Sequence, residues 1–226
     1  MEQPLETDSY PAPRLRIGYR FIQWVARSFF RTLFGLRVEG REKIPAQGPF
    51  ILVCNHQSWF DPPIVASTFP REIFFAAKRE LFDKPVLGQF VRYCNSIPVK
   101  RTGYDRALLE RLGEALEAGF GVIVFPEGTR HLDGRLHPPK PGVGMIALNH
   151  RNIPIIPVFI RGSARIRRQL LHRNLRLKFG NPFTLPASDS LSANDRDGYR
   201  KAAELVMERI AETGGVPIPP GIPDSA

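Results

Sequence analysis

PFILVCNHQSWFDPPIVASTF, residues 49–69, is the stretch whose reading decides the fold. It opens with PFILVC (49–54), an unbroken apolar run of strand length. It closes with DPPIVASTF (61–69), whose prolines suit the first turn of a helix. Working outward, the same alternation recurs. IFFAAK (73–78), SIPV (96–99), GVIVF (121–125), IPIIPVFIRG (153–162) and NLRLKFG (174–180) read as strands. Pro98 marks SIPV as an edge strand, and Pro154 and Pro157 interrupt the 153–162 run. YDRALLERLGEALEAG (104–119) reads as a helix with Asp105 as N-cap and Gly119 as stop, and PGVGMIALNH (141–150) and 194–212 read as further helices. Strands alternating with helices predict an α/β domain, with a mixed, largely parallel sheet flanked by helices.

The chain has 226 residues, enough for one sizeable core. At 42% hydrophobic and 24% charged it is globular in composition. A formal net charge of +10 calls for an anionic partner: nucleic acid, an anionic membrane surface or an acidic small substrate. Cys54 and Cys94 make no disulfide framework and fit a reducing compartment. No apolar run reaches the roughly 20 residues of a spanning helix, and the first residues lack the pattern of a secretory signal. The expected organisation is a disordered lead at 1–13, an amphipathic helical segment at 14–35, the α/β domain at 36–213 and a flexible Pro/Gly-rich tail at 214–226.

RLRIGYRFIQWVARSFFRTLFGLR (14–37) carries six arginines and no acid. On a helical wheel Arg20, Arg27 and Arg31 share a face with Gln23 and Trp24. Ile22, Val25, Phe29 and Leu33 take the opposite face, flanked by Phe21 and Phe30. Basic residues beside aromatics suit a helix lying at a bilayer interface. The same helix could pack its apolar side onto its own domain, and the two readings are compatible.

Ligand sites of α/β sheets gather in loops at the carboxyl ends of strands. NHQSWFD (55–61) is such a loop. His56 could act as a general base, because an imidazole ordinarily titrates near neutral pH. Asp61 could hold the other ring nitrogen, or it could simply cap the helix that begins at Pro62. A metal site is disfavoured, since the remaining histidines stand scattered at 131, 137, 150 and 172. Ser58 has no G-x-S-x-G elbow around it. FPEGTR (125–130) follows another apolar strand. There Gly128 permits close backbone approach, Glu127 can accept from a hydroxyl and Arg130 can pair with a phosphate, although a plain turn would read the same way. SIPVKRTG (96–103) places Lys100 and Arg101 after a third strand, suiting either an anion site or a solvated surface.

NHQSWFD, SIPVKRTG, FPEGTR and IPIIPVFI, in that order, resemble the four motifs of the glycerolipid acyltransferases, most nearly the bacterial 1-acyl-glycerol-3-phosphate acyltransferase type. The resemblance covers roughly residues 36 to 185. AAKREL (76–81) and PPKPGVGMIA (138–147) match family segments too, with Lys78 and Lys140 at the basic positions. Pro98 stands where the family more often has a bulky apolar residue. The resemblance implies acyl transfer from a thioester, acyl-CoA or acyl-carrier protein, to the glycerol hydroxyl of a lysophospholipid acceptor, with no cofactor and no metal. His56 would take the hydroxyl proton and Asp61 would orient His56. Lys78, Arg101 and Arg130 would hold the acceptor phosphate, and Glu127 and Gly128 would position its glycerol. Backbone N–H groups near the helix after Asp61 are one possible oxyanion donor set.

An acceptor with an acyl chain implies contact with an anionic membrane surface, so the expected location is peripheral or monotopic, at the cytoplasmic face of the cell membrane. RGSARIRRQLLHRNLRLK (161–178) has seven Lys/Arg and no acid. It could meet headgroups, or the phosphates of coenzyme A or an acidic carrier protein, or only solvent. A nucleic-acid binder would suit the charge, but no nucleic-acid motif appears and segment 14–37 is strongly apolar on one side. A non-catalytic lipid-binding module and an acyltransferase for another lysolipid are the other readings.

Overall fold

The computed structural model describes residues 17–69, 71–99, 106–187, 191 and 195–220. The expected lead at 1–13, the Asp105 cap and the final residues 221–226 lie outside them. The described strands are β1 (Arg37–Glu39), β2 (Phe50–Cys54), β3 (Ile73–Lys78), β4 (Ser96–Val99), β5 (Gly121–Val124), β6 (Ile155–Arg161) and β7 (Arg176–Phe179). The helices are α1 (Ile17–Phe34), α2 (Asp61–Thr68), α3 (Arg79–Phe82), α4 (Pro85–Tyr93), α5 (Arg106–Glu117), α6 (Pro141–Asn149), α7 (Gln169–His172) and α8 (Arg196–Gly214). Among the described residues the strands form one sheet in the order β1-β7-β6-β2-β5-β3-β4. β6, β2, β5, β3 and β4 run parallel; β7 is antiparallel to β6, with β1 parallel to β7. The fold is the expected α/β domain with a mixed, largely parallel sheet.

Parallel strands covered on both faces must be apolar on both faces, which is why they read as continuous runs. All five residues of β2 are buried. Ile51 and Val53 face a core shared with Leu112 and Leu116 of α5, Ile146 of α6 and Met207 of α8. Phe50, Leu52 and Cys54 face the opposite core, closed by Ile64 and Val65 of α2 and Phe30 and Phe34 of α1. Asp195 starts α8 by accepting from the Asp197 amide at 3.1 Å. After α8, Val216 and Ile218 pack against the first core, so this part of the expected loose tail is seated on the domain.

Two prolines lie within the described strands. Pro98 lies in β4, at the sheet edge. Pro157 lies inside β6, between β2 and β7. Its carbonyl accepts from Gly180 N–H at 2.8 Å, beyond Phe179, the last residue of β7. Pro157 has no N–H to return to the Gly180 carbonyl, so this pair at the end of β7 is held by one bond in place of two.

α1 turns a different side inward from the one a two-faced wheel suggests. Tyr19, Gln23, Phe30 and Phe34 are its buried residues. The Gln23 amide donates to the carbonyls of Ala66 and Phe69, at 2.9 and 3.1 Å, near the end of α2. Ile17, Phe21, Val25, Phe29 and Leu33 form a row that remains exposed.

Candidate active site

β2 and β5 are sheet neighbours, so the loops leaving their carboxyl ends meet. The first loop is 55–60 and the second begins at Phe125. Asn55 anchors the first. Its side-chain amide donates to the Ile160 carbonyl at 3.0 Å, and its oxygen accepts from the Ile160 amide at 2.8 Å. The loops are also joined directly by His131 N–H donating to the His56 carbonyl at 2.9 Å.

Asp61 is fully buried at the first turn of α2 and does not act as its N-cap, a position held by Phe60. Its Oδ2 instead accepts from the backbone N–H groups of Gln57 and Ser58, both at 2.6 Å, and lies 2.9 Å from His56 Nδ1. The carboxylate therefore shapes the loop and holds the imidazole together. Its place at the start of α2 suits an anion, because the first-turn N–H groups carry partial positive charge. The His56 ring stacks on Phe125 with centroids 4.1 Å apart and keeps 16% exposure. Nε2 makes no hydrogen bond among the described residues, so Nδ1 is committed to Asp61 while Nε2 stays unengaged.

Glu127 is buried as well. Its Oε2 accepts from His56 N–H at 2.6 Å and its Oε1 from His137 N–H at 3.1 Å. Sequence reasoning gave Glu127 to the acceptor's glycerol; its oxygens are already engaged in fastening the two loops. Burial pushes its carboxyl up to about 7, against the lowering influence of the two amide bonds. Gly128, at φ 66, makes the turn, and a Cβ there would come within 2.8 Å of the Lys140 stem.

Lys78, at the end of β3, and Arg130, beyond the FPEG turn, converge on Trp59. Lys78 Nζ lies 4.4 Å and Arg130 Cζ 3.3 Å from the ring centroid. Two cations from separate strand ends are thus gathered on one aromatic ring of the His56 loop, an arrangement suited to a phosphate. Trp59 itself is 56% exposed. Arg101 and Lys100 lie outside the described residues. Trp59, Phe125 and Asn55 are the site residues that sequence reasoning missed. The available signal was their position inside or beside the motifs.

Two of the histidines read as scattered are in contact: the His131 and His137 rings stack at 3.6 Å, and His137 Nε2 lies 2.9 Å from Asp133 Oδ2. Among the described residues no group of three or more His, Cys, Asp or Glu could hold a metal ion.

A family model described as Acyltransferase matches residues 35–161. The 1-acyl-sn-glycerol-3-phosphate acyltransferase of Streptococcus pneumoniae is 31% identical over 172 residues, covering 75% of this chain and 61% of that protein. The enzyme of the same name from Bacillus subtilis is 25% identical over 195 residues, covering 86% and 96%. The crystal structure of the 1-acyl-sn-glycerophosphate (LPA) acyltransferase PlsC from Thermotoga maritima matches with a TM-score of 0.67 and 30% identity, over 86% of this chain and 78% of that one. The chain thus spans about three fifths of the pneumococcal relative's length.

Proposed function

The chain belongs to the acyltransferase family, and from that membership we propose that it transfers a fatty acyl group from a thioester to the sn-2 hydroxyl of 1-acyl-glycerol-3-phosphate, giving phosphatidic acid. The observation that carries this reading is the His56–Asp61 pair, 2.9 Å apart, in the same loop as Trp59, whose ring gathers two cations. The names of the relatives and the structural neighbour support the same chemistry.

In the proposed step the acceptor hydroxyl gives its proton to His56 Nε2 as its oxygen attacks the thioester carbonyl carbon. The C–S bond then breaks, and the departing thiolate takes the proton back from Nε2. Asp61 fixes the tautomer and stabilises the ring while it is charged. The hydroxyl attacks directly, so no acyl-enzyme forms. Lys78 and Arg130, with Arg101 from the adjoining segment, would hold the acceptor phosphate. Orientation of the hydroxyl then contributes alongside base catalysis. The donor is acyl-CoA or acyl-carrier protein.

The acceptor's acyl chain calls for contact with lipid. No described helix is long and apolar enough to cross a membrane, and the exposed row on α1 supports attachment along a bilayer surface.

The test is thiol release from palmitoyl-CoA in detergent, with lysophosphatidate and a panel of other lysolipids, and His56→Ala as control. Release with lysophosphatidate that vanishes in the variant is the expected result. Release with a different lysolipid would keep the His56 chemistry and change the acceptor. Silence with both acyl-CoA and acyl-carrier protein donors would overturn the reading.

A further inference from the structure

The two basic stretches of the sequence, 14–37 and 161–178, are far apart in the chain and meet in one cleft of about 880 Å³. Arg27 and Arg31 of α1, Arg37 of β1, Arg41 just beyond it and Arg173 after α7 all line this cleft. Among the described residues no carboxylate lines it. Among the described residues none of these five guanidinium groups holds an ion pair; Glu39 of β1 lies nearest Arg176, at 4.0 Å. Burial and the charge of Arg27 hold the Arg41 guanidinium below its ordinary value, a sign that like charges face each other there.

Arg173 adds a second observation. It sits in the left-handed region, φ 49 and ψ 45, at a helix end that glycine usually fills. Gly35, at φ 65, lies so close that a Cβ would come within 2.2 Å of the Arg173 carbonyl. The chain thus holds a cation in a strained conformation at the rim of an already positive cleft. Such strain persists only where the surrounding structure enforces it, as the close approach of Gly35 does here, and the turn so fixed aims Arg173 at the cleft. Trp24 of α1, which lines the cleft, is 57% exposed, and Leu170 and Leu171 of α7, the helix that leads into Arg173, are exposed at 52% and 85%.

We propose that this cleft seats the phosphate of an anionic phospholipid headgroup, its arginines at headgroup level and these exposed apolar side chains among the acyl chains. Arginine forks match phosphate oxygens in pairs, whereas diffuse attraction to a charged bilayer needs only charge. The exposed apolar side chains favour a lipid over a soluble nucleotide or an acidic carrier protein. The inference rests on the reading of α1 as facing a bilayer, and it places a lipid site apart from His56.

Partition of the full chain into vesicles of phosphatidylcholine alone, and of phosphatidylcholine with phosphatidylglycerol, tests it. The double variant Arg27→Lys with Arg41→Lys keeps the charge and loses the forks. It should bind mixed vesicles about tenfold less tightly, with binding to phosphatidylcholine and turnover of short-chain soluble substrates unchanged. Full binding of mixed vesicles by this variant would reduce the cleft to diffuse charge and overturn the proposal. A raised KM for acyl-CoA with a soluble acceptor would assign the cleft to the donor's phosphates instead, and also overturn it. Arg173→Gly guards against misfolding: it should melt higher because strain is relieved, yet bind mixed vesicles less. If the chain transfers no acyl group but the arginine effect stands, the lipid site survives and the proposed reaction falls.

Discussion

His56 and Trp59 stand three positions apart in one loop and differ in how far the sequence reveals them. With Nδ1 committed to Asp61 and the ring stacked on Phe125, His56→Ala removes a base and leaves the loop's anchors in place. Turnover should fall by about 10²–10⁴-fold, with an unchanged melting temperature; a variant that keeps its rate would remove His56 from the chemistry. Trp59→Leu tests the gathered cations. A cation–π contact contributes about 0.5–2 kcal/mol, so KM for lysophosphatidate should rise roughly 2- to 30-fold while kcat moves less. Equal KM values in variant and parent would leave the ring without that role. The His56–Asp61 pair was legible because both partners lie within one short motif. Trp59 was not, because its partners come from the ends of other strands and only the tertiary fold brings them together.

Among the elements, the strand-end loops behave as a unit fastened by Glu127. Below its ordinary value near 4.5 the Glu127 carboxyl is protonated whether the chain is folded or not. Between there and about 7 the unfolded chain gives up a proton that the buried carboxyl keeps. Its contribution to stability is therefore lost as pH rises through that window and levels off above it, a change of about 3 kcal/mol. Glu127→Gln cannot titrate, so denaturation across the same window should show a flatter profile than the parent. Identical profiles would mean that Glu127 does not titrate there. The variant also sets an amide N–H₂ against a backbone N–H at His56 or His137, so kcat should fall as the His56 loop loosens. The strands feeding these loops were legible because strands buried on both faces leave unbroken apolar runs. α4 was not: it is nine residues long, interrupted by Gly88, and has Val86 and Phe90 exposed. β1 has only three residues, and its place beside β7 depends on a partner strand more than a hundred positions away.

At the scale of the whole molecule, α1 serves two masters. Phe30 and Phe34 close the core under β2, while Phe21, Val25 and Phe29 are exposed at 64%, 45% and 46%. A two-faced wheel had no room for this division, because it placed Gln23 with the arginines on the solvent side. Gln23 is buried, and its bonds to the α2 carbonyls turn a third side of the helix onto the domain. Deleting α1 would therefore open the core as well as remove a lipid contact, and its outcome would be ambiguous. The triple variant Ile17→Ser, Phe21→Ser, Val25→Ser keeps to the outward row and spares Phe29, whose ring packs on Phe30 and Phe34. Each large apolar side chain that enters the acyl region contributes about 1.5–3 kcal/mol when fully buried, and partial entry of three still amounts to more than a hundredfold in partition. The variant should leave the membrane pellet for the supernatant. Its melting temperature should match the parent's, since none of the three residues closes the core. Its rate on short-chain soluble substrates should hold while its rate on bilayer-embedded acceptor falls. If the variant stays with the membrane, the anchor lies elsewhere, and α4, with Val86 at 83% and Phe90 at 46% exposed, is the next element to change.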